Sequence, residues 1–188
     1  MWEKLLRKNI VSVPPEWPQA IDPQEASVLV LMAHHPGQED FQIVLTKRTQ
    51  KVLHHKGQIS FPGGVPEKED PHLLATALRE THEEIGVPSE AIEILGMLDP
   101  VVTGFQVKII PFLGLLSGPP MFKASPDEVE KILFLPGKVL LSRGIQPVIA
   151  REQAFEVKSV GIHWENELIW GATAKILEQI YKILKGIP

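Results

Sequence analysis

The sequence predicts an α/β protein folded as one domain over residues 1–188. Three observations predict it. The chain has 188 residues, 44% of them hydrophobic and 22% charged, which suits one proper core. Runs rich in β-forming residues stand at 26–32, 41–46, 92–98 and 107–116. Segments 72–85 and 172–184 instead space their apolar residues at the helical period of about 3.6.

Composition narrows the function classes. A formal net charge of -4 argues against a non-specific nucleic-acid binder. No apolar run approaches the ~20 residues of a membrane-spanning helix, so no membrane partner is expected. The chain has no cysteine, which excludes disulfides, thiolate metal sites and cysteine nucleophiles. The first residues alternate charged with apolar side chains and lack the continuous apolar stretch of a signal peptide. They read as a short amphipathic helix, and the location expected is cytoplasmic. A homodimer is left open.

The elements follow in order. Pro14, Pro15 and Pro18 end the first helix and start an extended lead-in that runs to residue 25. Residues 26–32 read as a buried strand, Pro36 and Gly37 as a turn, and 41–46 as the returning strand. A basic loop covers 47–56, and a glycine-rich run covers 57–64. A helix follows, with Asp70 as its N-cap, Pro71 at its first position and Gly86 as its stop. Strands are expected at 92–98 and 107–116. Residues 129–135 read equally as strand or helix, ending at Pro136. Ile176, Leu177, Ile180, Ile183 and Leu184 give the last helix its apolar face.

The helix at 72–85 carries the strongest chemical signal. At about 100° per residue, Leu74, Leu78, Thr81 and Ile85 form one stripe. Glu80, Glu83 and Glu84 gather on roughly the opposite side. Like charges at i, i+3 and i, i+4 repel and cost stability. A hard divalent cation is the simplest group that would neutralise them. Arg79 lies four residues before Glu83 and can hold its carboxylate by a charge-assisted bond. A solvated charged face would explain the glutamates alone. It does not explain the glycines just before the helix, which let backbone groups approach a ligand closely.

Arg79-Glu80-Thr81-His82-Glu83-Glu84-Ile85-Gly86-Val87 resembles the end of the Nudix box, G-x5-E-x7-R-E-U-x-E-E-x-G-U, with U a bulky apolar residue. Thr81 stands at an apolar position. Counted from Gly64, the first acidic place falls on Asp70, and eight residues rather than seven separate it from Arg79. A one-residue insertion before the helix accounts for the difference. The resemblance implies an α/β/α sandwich around a mixed sheet, and hydrolysis of a nucleoside diphosphate linked to another group. It also implies Mg²⁺ or Mn²⁺ held mainly by Glu80 and Glu84, with Glu83 and the Gly64 carbonyl helping. A metal-activated water would attack phosphorus with no covalent intermediate.

The segment before the box narrows the substrate. Leu45, Thr46, Arg48, Gly57, Phe61, Pro62, Gly63 and Gly64 match the extra motif of the coenzyme A pyrophosphatase branch in register. Val44, Thr49 and Leu53 depart from it, and Leu53 replaces an arginine. The resemblance implies a CoA-like small-molecule substrate. Physically, Lys47, Arg48, Lys51, His54, His55 and Lys56 make a positive segment in an acidic chain, suited to phosphate groups. Arg48, Lys47 and His55 are the candidate substrate contacts, and a solvated basic loop is the plainer alternative. Phe105, in a segment that also resembles this branch, either stacks on substrate or fills the core. Trp170 reads as core. The general base is Glu83 or Glu128. Glu128 also has capping-box spacing from Ser125, with Pro126 at a first helical position. Rival readings are hydrolysis of ADP-ribose, NADH or a dinucleoside polyphosphate, and a non-catalytic nucleotide sensor.

Overall fold

The computed structural model describes residues 2–10, 16–19, 24–34, 40–51, 57–118, 121–152 and 155–187, without the side chain of Glu152. The turn expected at Pro36 and Gly37, and Pro14 and Pro15 of the lead-in, lie outside them. Helix α1 (Trp2–Asn9) opens the chain. Strands β1 (Glu25–His34) and β2 (Phe41–Arg48) pair antiparallel. Two short strands, β3 (Ile59–Ser60) and β4 (Gly63–Gly64), precede helix α2 (Leu73–Ile85). A 3-10 turn at Ser89–Ala91 leads into β5 (Ile92–Met97), β6 (Val101–Val102) and β7 (Lys108–Leu116). Then come β8 (Val129–Pro136), α3 (Gly137–Arg143), β9 (Gln146–Glu152), β10 (Phe155–Trp164), β11 (Glu167–Trp170) and α4 (Gly171–Lys185).

The main sheet runs β3-β2-β1-β7-β5, with β8 on β2, β4 on β1 and β6 on β7. It is mixed, because β1 and β7 are parallel while its other pairs are antiparallel. Strand β1 is apolar on both faces because both are covered. Leu29, Leu31 and Ala33 pack with Leu73, Leu74, Ala77 and Ile85 of α2. Val30 and Met32 point the other way, into a cluster with Leu6 of α1 and Ile176, Leu177 and Ile180 of α4. The expected sandwich of helices about a mixed sheet is therefore present. Ile162 and Ile169 of the antiparallel sheet β11-β10-β9 join the second cluster. No run in the sequence announced that sheet. Among the described residues, no helix is long and apolar enough to cross a membrane.

Two local expectations are corrected. The N-cap of α2 is His72, whose Nδ1 accepts from the Ala75 amide at 3.0 Å, not Asp70. Asp70 is instead engaged by Arg79, the Thr76 hydroxyl and the Glu67 amide. Residues 126–128 form a turn, so Ser125 opens no helix. The Ser125 carbonyl accepts from the Glu128 and Val129 amides at 3.2 and 2.8 Å, and β8 begins at once. Strand β8 wins over helix because it completes the edge beside β2 through seven paired positions. Gly86 does stop α2, at φ 73°, with its amide on the His82 carbonyl.

Candidate functional site

The site grows from the junction of β4 and α2. A Cβ on Gly63 would lie 2.2 Å from the Ser27 carbonyl oxygen, so only glycine fits there. A Cβ on Gly64 would lie 2.6 Å from the Glu80 carboxylate. The two glycines thus bring backbone against the acidic helix, as their position in the sequence suggested.

The three glutamates of α2 meet different surroundings. Side-chain exposure is 54% for Glu83, 16% for Glu80 and 2% for Glu84. The acidic face is therefore tilted into the protein rather than laid along its surface. Thr81 sits in the apolar stripe without penalty, because its hydroxyl donates to the Ala77 carbonyl at 2.7 Å.

Arg79 is the hub of this face. Its Nη1 reaches Glu80 and Glu83, each at 3.0 Å. Its Nε and Nη2 grip Asp70 at 3.2 and 3.0 Å, a two-pronged contact. Asp70 also accepts from the Thr76 hydroxyl and the Glu67 amide. Burial pushes the Asp70 carboxyl up, but Arg79, the Glu67 amide and Thr76 outweigh it and hold it below its ordinary value. The Arg79 guanidinium is raised, first by its bond to Asp70. Sequence reasoning kept Asp70 only as a cap. Its acidic place in the box was the signal, and the inserted residue obscured it.

Burial dominates at the other two carboxylates. The Glu84 carboxyl is pushed up to about 8 by burial, opposed by Arg48 and reinforced by Glu80 and Glu128. Glu80 is also raised, first by burial, with Arg79 opposing and Glu83 and Glu128 adding to the rise. Glu128 is thus close enough for its charge to reach both groups. Its carbonyl also accepts from the Thr49 amide, which ties it to the end of β2.

Arg48 approaches Glu84 with Nη1 3.5 Å from Oε1. Among the described residues, three buried side-chain polar atoms have no hydrogen-bond partner: Ser27 Oγ, Arg48 Nε and Glu84 Oε2. An unpaired buried carboxylate oxygen is costly, and a cation placed there would offset that cost. As the side chains stand, no three His, Asp or Glu residues among those described form a ready ligand set. Arg79 draws Glu80 and Glu83 toward itself, and Arg48 stands at Glu84. The donor chemistry nonetheless fits a hard divalent ion: carboxylate oxygens, a glycine cradle and two groups that resist carrying charge unneutralised.

A cleft of about 430 Å³ opens beside these groups. Gly63, Gly64 and Arg48 line it on the side of the acidic helix. Phe105, 65% exposed, stands on the β6–β7 turn at another side. Val157 and Lys158 of β10, with Trp170 and Lys175 at the start of α4, complete it. Trp170 is therefore not a core residue; it is half-buried and faces the cleft. Lys47 is not among the cleft residues. Its ammonium is bonded to Glu167 at 2.7 Å, which raises it, and lies 3.7 Å from Glu130. His55, like Leu53 and His54, lies outside the described residues. Lys158 and Lys175 carried no signal in the sequence.

Comparison with known proteins agrees with this geometry. The NUDIX domain family model matches residues 23–152. An uncharacterized Nudix hydrolase NudL of Pectobacterium atrosepticum is 34% identical over 175 residues, covering 90% of this chain and 88% of that protein. Its counterpart in Klebsiella pneumoniae is also 34% identical, over 86% of this chain and 83% of its own. Among solved structures, a MutT/nudix family protein from Enterococcus faecalis superimposes with TM-score 0.56 at 16% identity, over 90% of this chain and 65% of that one. A C. elegans Ap4A hydrolase gives TM-score 0.50 at 18% identity, over 58% of this chain and 78% of its own. The chain belongs to the Nudix family and is a hydrolase acting on a pyrophosphate bond.

Proposed function

We propose that the protein hydrolyses coenzyme A or acyl-CoA to 3′,5′-ADP and 4′-phosphopantetheine species. The observation that carries this reading is the cleft beside the acidic helix. It is lined by Arg48, Gly63 and Gly64, three positions of the segment that resembles the coenzyme A branch. Its walls at Val157 and Trp170 suit the apolar arm of the substrate. Arg48, Lys158 and Lys175 supply cations for its phosphates.

Glu80 and Glu84 would hold Mg²⁺ or Mn²⁺, with Glu83 and the Gly64 carbonyl assisting. Bound there, such an ion neutralises the pyrophosphate and acidifies an attacking water. Arg79 orients Glu80 and Glu83 through its anchor on Asp70. Glu128 is the better general base of the two candidates. Glu83 is already paired with Arg79, whereas Glu128 is exposed and its charge reaches both Glu80 and Glu84. Phe105 borders the substrate from the β6–β7 turn.

One panel assay tests the substrate. The purified protein is incubated with CoA, ADP-ribose, NADH and a diadenosine polyphosphate, with Mg²⁺ and with Mn²⁺, and products are identified by mass. The expected result is preferential release of 3′,5′-ADP from CoA. Preference for another nucleotide would refute the coenzyme A reading and leave the family standing.

A further inference from the structure

Ser27 is fully buried, and its hydroxyl makes no hydrogen bond. A buried hydroxyl left unpaired costs roughly 1–3 kcal/mol, so its position calls for a physical account. The sheet register supplies one. Ser27 lies directly opposite Gly64 in the antiparallel pair of β1 with β4. Residues directly opposite in such a pair project to the same face, with Cβ positions about 4.5–5.5 Å apart. The Cβ direction at Gly64 runs into the Glu80 carboxylate, 2.6 Å away. The Ser27 side chain therefore projects beside Glu80. Strand alternation agrees, because Leu29, Leu31 and Ala33 follow Ser27 at every second place and all pack in the α2 cluster. Glu80 itself is bonded to Arg79 at 3.0 Å and packs against Gly64, and the Ser27 hydroxyl makes no bond to it in this arrangement.

We propose that Ser27 is a positioning residue for Glu80: its hydroxyl donates to the carboxylate when Glu80 releases Arg79 to bind a divalent cation. The inference rests on the reading of Glu80 as a cation ligand. A hydroxyl donor helps a half-buried carboxylate keep its charge, and it fixes which oxygen faces the ion. Alanine at 27 would remove one oxygen and leave the strand and its packing intact.

The test is Mn²⁺ binding by calorimetry without substrate, on the native protein and on Ser27→Ala, Glu80→Gln and the double variant. Ser27→Ala should bind Mn²⁺ roughly tenfold more weakly, the size of one hydrogen bond to a charged group. Its metal-free melting temperature should be unchanged or higher, since an unpaired buried hydroxyl is gone. In the Glu80→Gln background the same substitution should change Mn²⁺ affinity little, because the effect runs through Glu80. Equal affinity in native and Ser27→Ala proteins overturns the proposal, as does an equal loss in both backgrounds. A native protein that binds no Mn²⁺ overturns it together with the cation reading. Because no substrate enters the measurement, an error in the coenzyme A assignment leaves it standing.

Discussion

Two regions wall the same cleft and differ in kind. Residues 57–86 bring charge: glycine backbone, Glu80, Glu84 and the Arg79–Asp70 clamp. Residues 157–175 bring apolar surface and two lysines from a strand and a helix start. In the first region Arg79 binds Asp70, Glu80 and Glu83 together, and Glu84 is nearly inaccessible to water. In the second, Lys158 and Lys175 are exposed and Val157 and Trp170 are half-buried. The difference teaches where rate and where affinity reside. On the proposed reading, the desolvated charge cluster would govern the chemical step and the wall of mixed contacts would govern substrate retention.

The largest expected effect breaks the first region. Glu84→Gln keeps the shape and removes the charge. We expect kcat to fall by roughly a thousandfold or more, as for loss of a principal electrostatic element. The thermal melt of the metal-free variant should show a folded protein. Substantial residual turnover would refute Glu84 as a cation ligand.

The next effect sharpens the first region through pH. With the Glu84 carboxyl at about 8, the group is mostly protonated at neutral pH in the metal-free protein. A cation must displace that proton. Mn²⁺ affinity should therefore rise about tenfold per pH unit up to about 8 and flatten above it. The sign for stability is the reverse. The folded carboxyl holds its proton more tightly than the unfolded one, whose ordinary value is 4.5. The Glu84 contribution to metal-free stability should therefore be full below that value and be lost as pH rises toward 8. Calorimetric titrations and melts from pH 5 to 9 check both directions. An affinity independent of pH would contradict the buried, protonated carboxyl.

The smallest effect probes the second region. Trp170→Ala should raise KM for CoA by roughly three- to tenfold with kcat nearly unchanged, the worth of one aromatic contact. Lys158→Ala should act in the same sense and less. A fall in kcat with KM unchanged would erase the distinction between the two walls.

Legibility in the sequence followed the same division. Glu80, Glu83 and Glu84 lie within one and a half helical turns, so their spacing alone put them together. The strands at 26–32 and 107–116 were legible because both faces of each are covered, which forces a continuous apolar run. The sheet β9–β11 was not, because its burial is partial and its polar and apolar residues mix without a clean period. Lys47 looked like a phosphate contact from composition, yet Glu167, 120 residues away, claims it. Trp170 looked like core by size, yet the start of α4 presents it to the cleft.

By itself, then, the sequence determined the α/β class, the acidic helix with its glycine approach, and a need for positive charge beside it. These depend on local geometry, where three or four residues along a helix always return to one face. Tertiary structure alone decided which carboxylate is buried, that Arg48 meets Glu84 across 36 residues, that Asp70 anchors Arg79, and that Ser27 stands opposite Gly64. Burial and charge pairing depend on distances through space, and only packing of the sheet against α2 and α4 sets those distances.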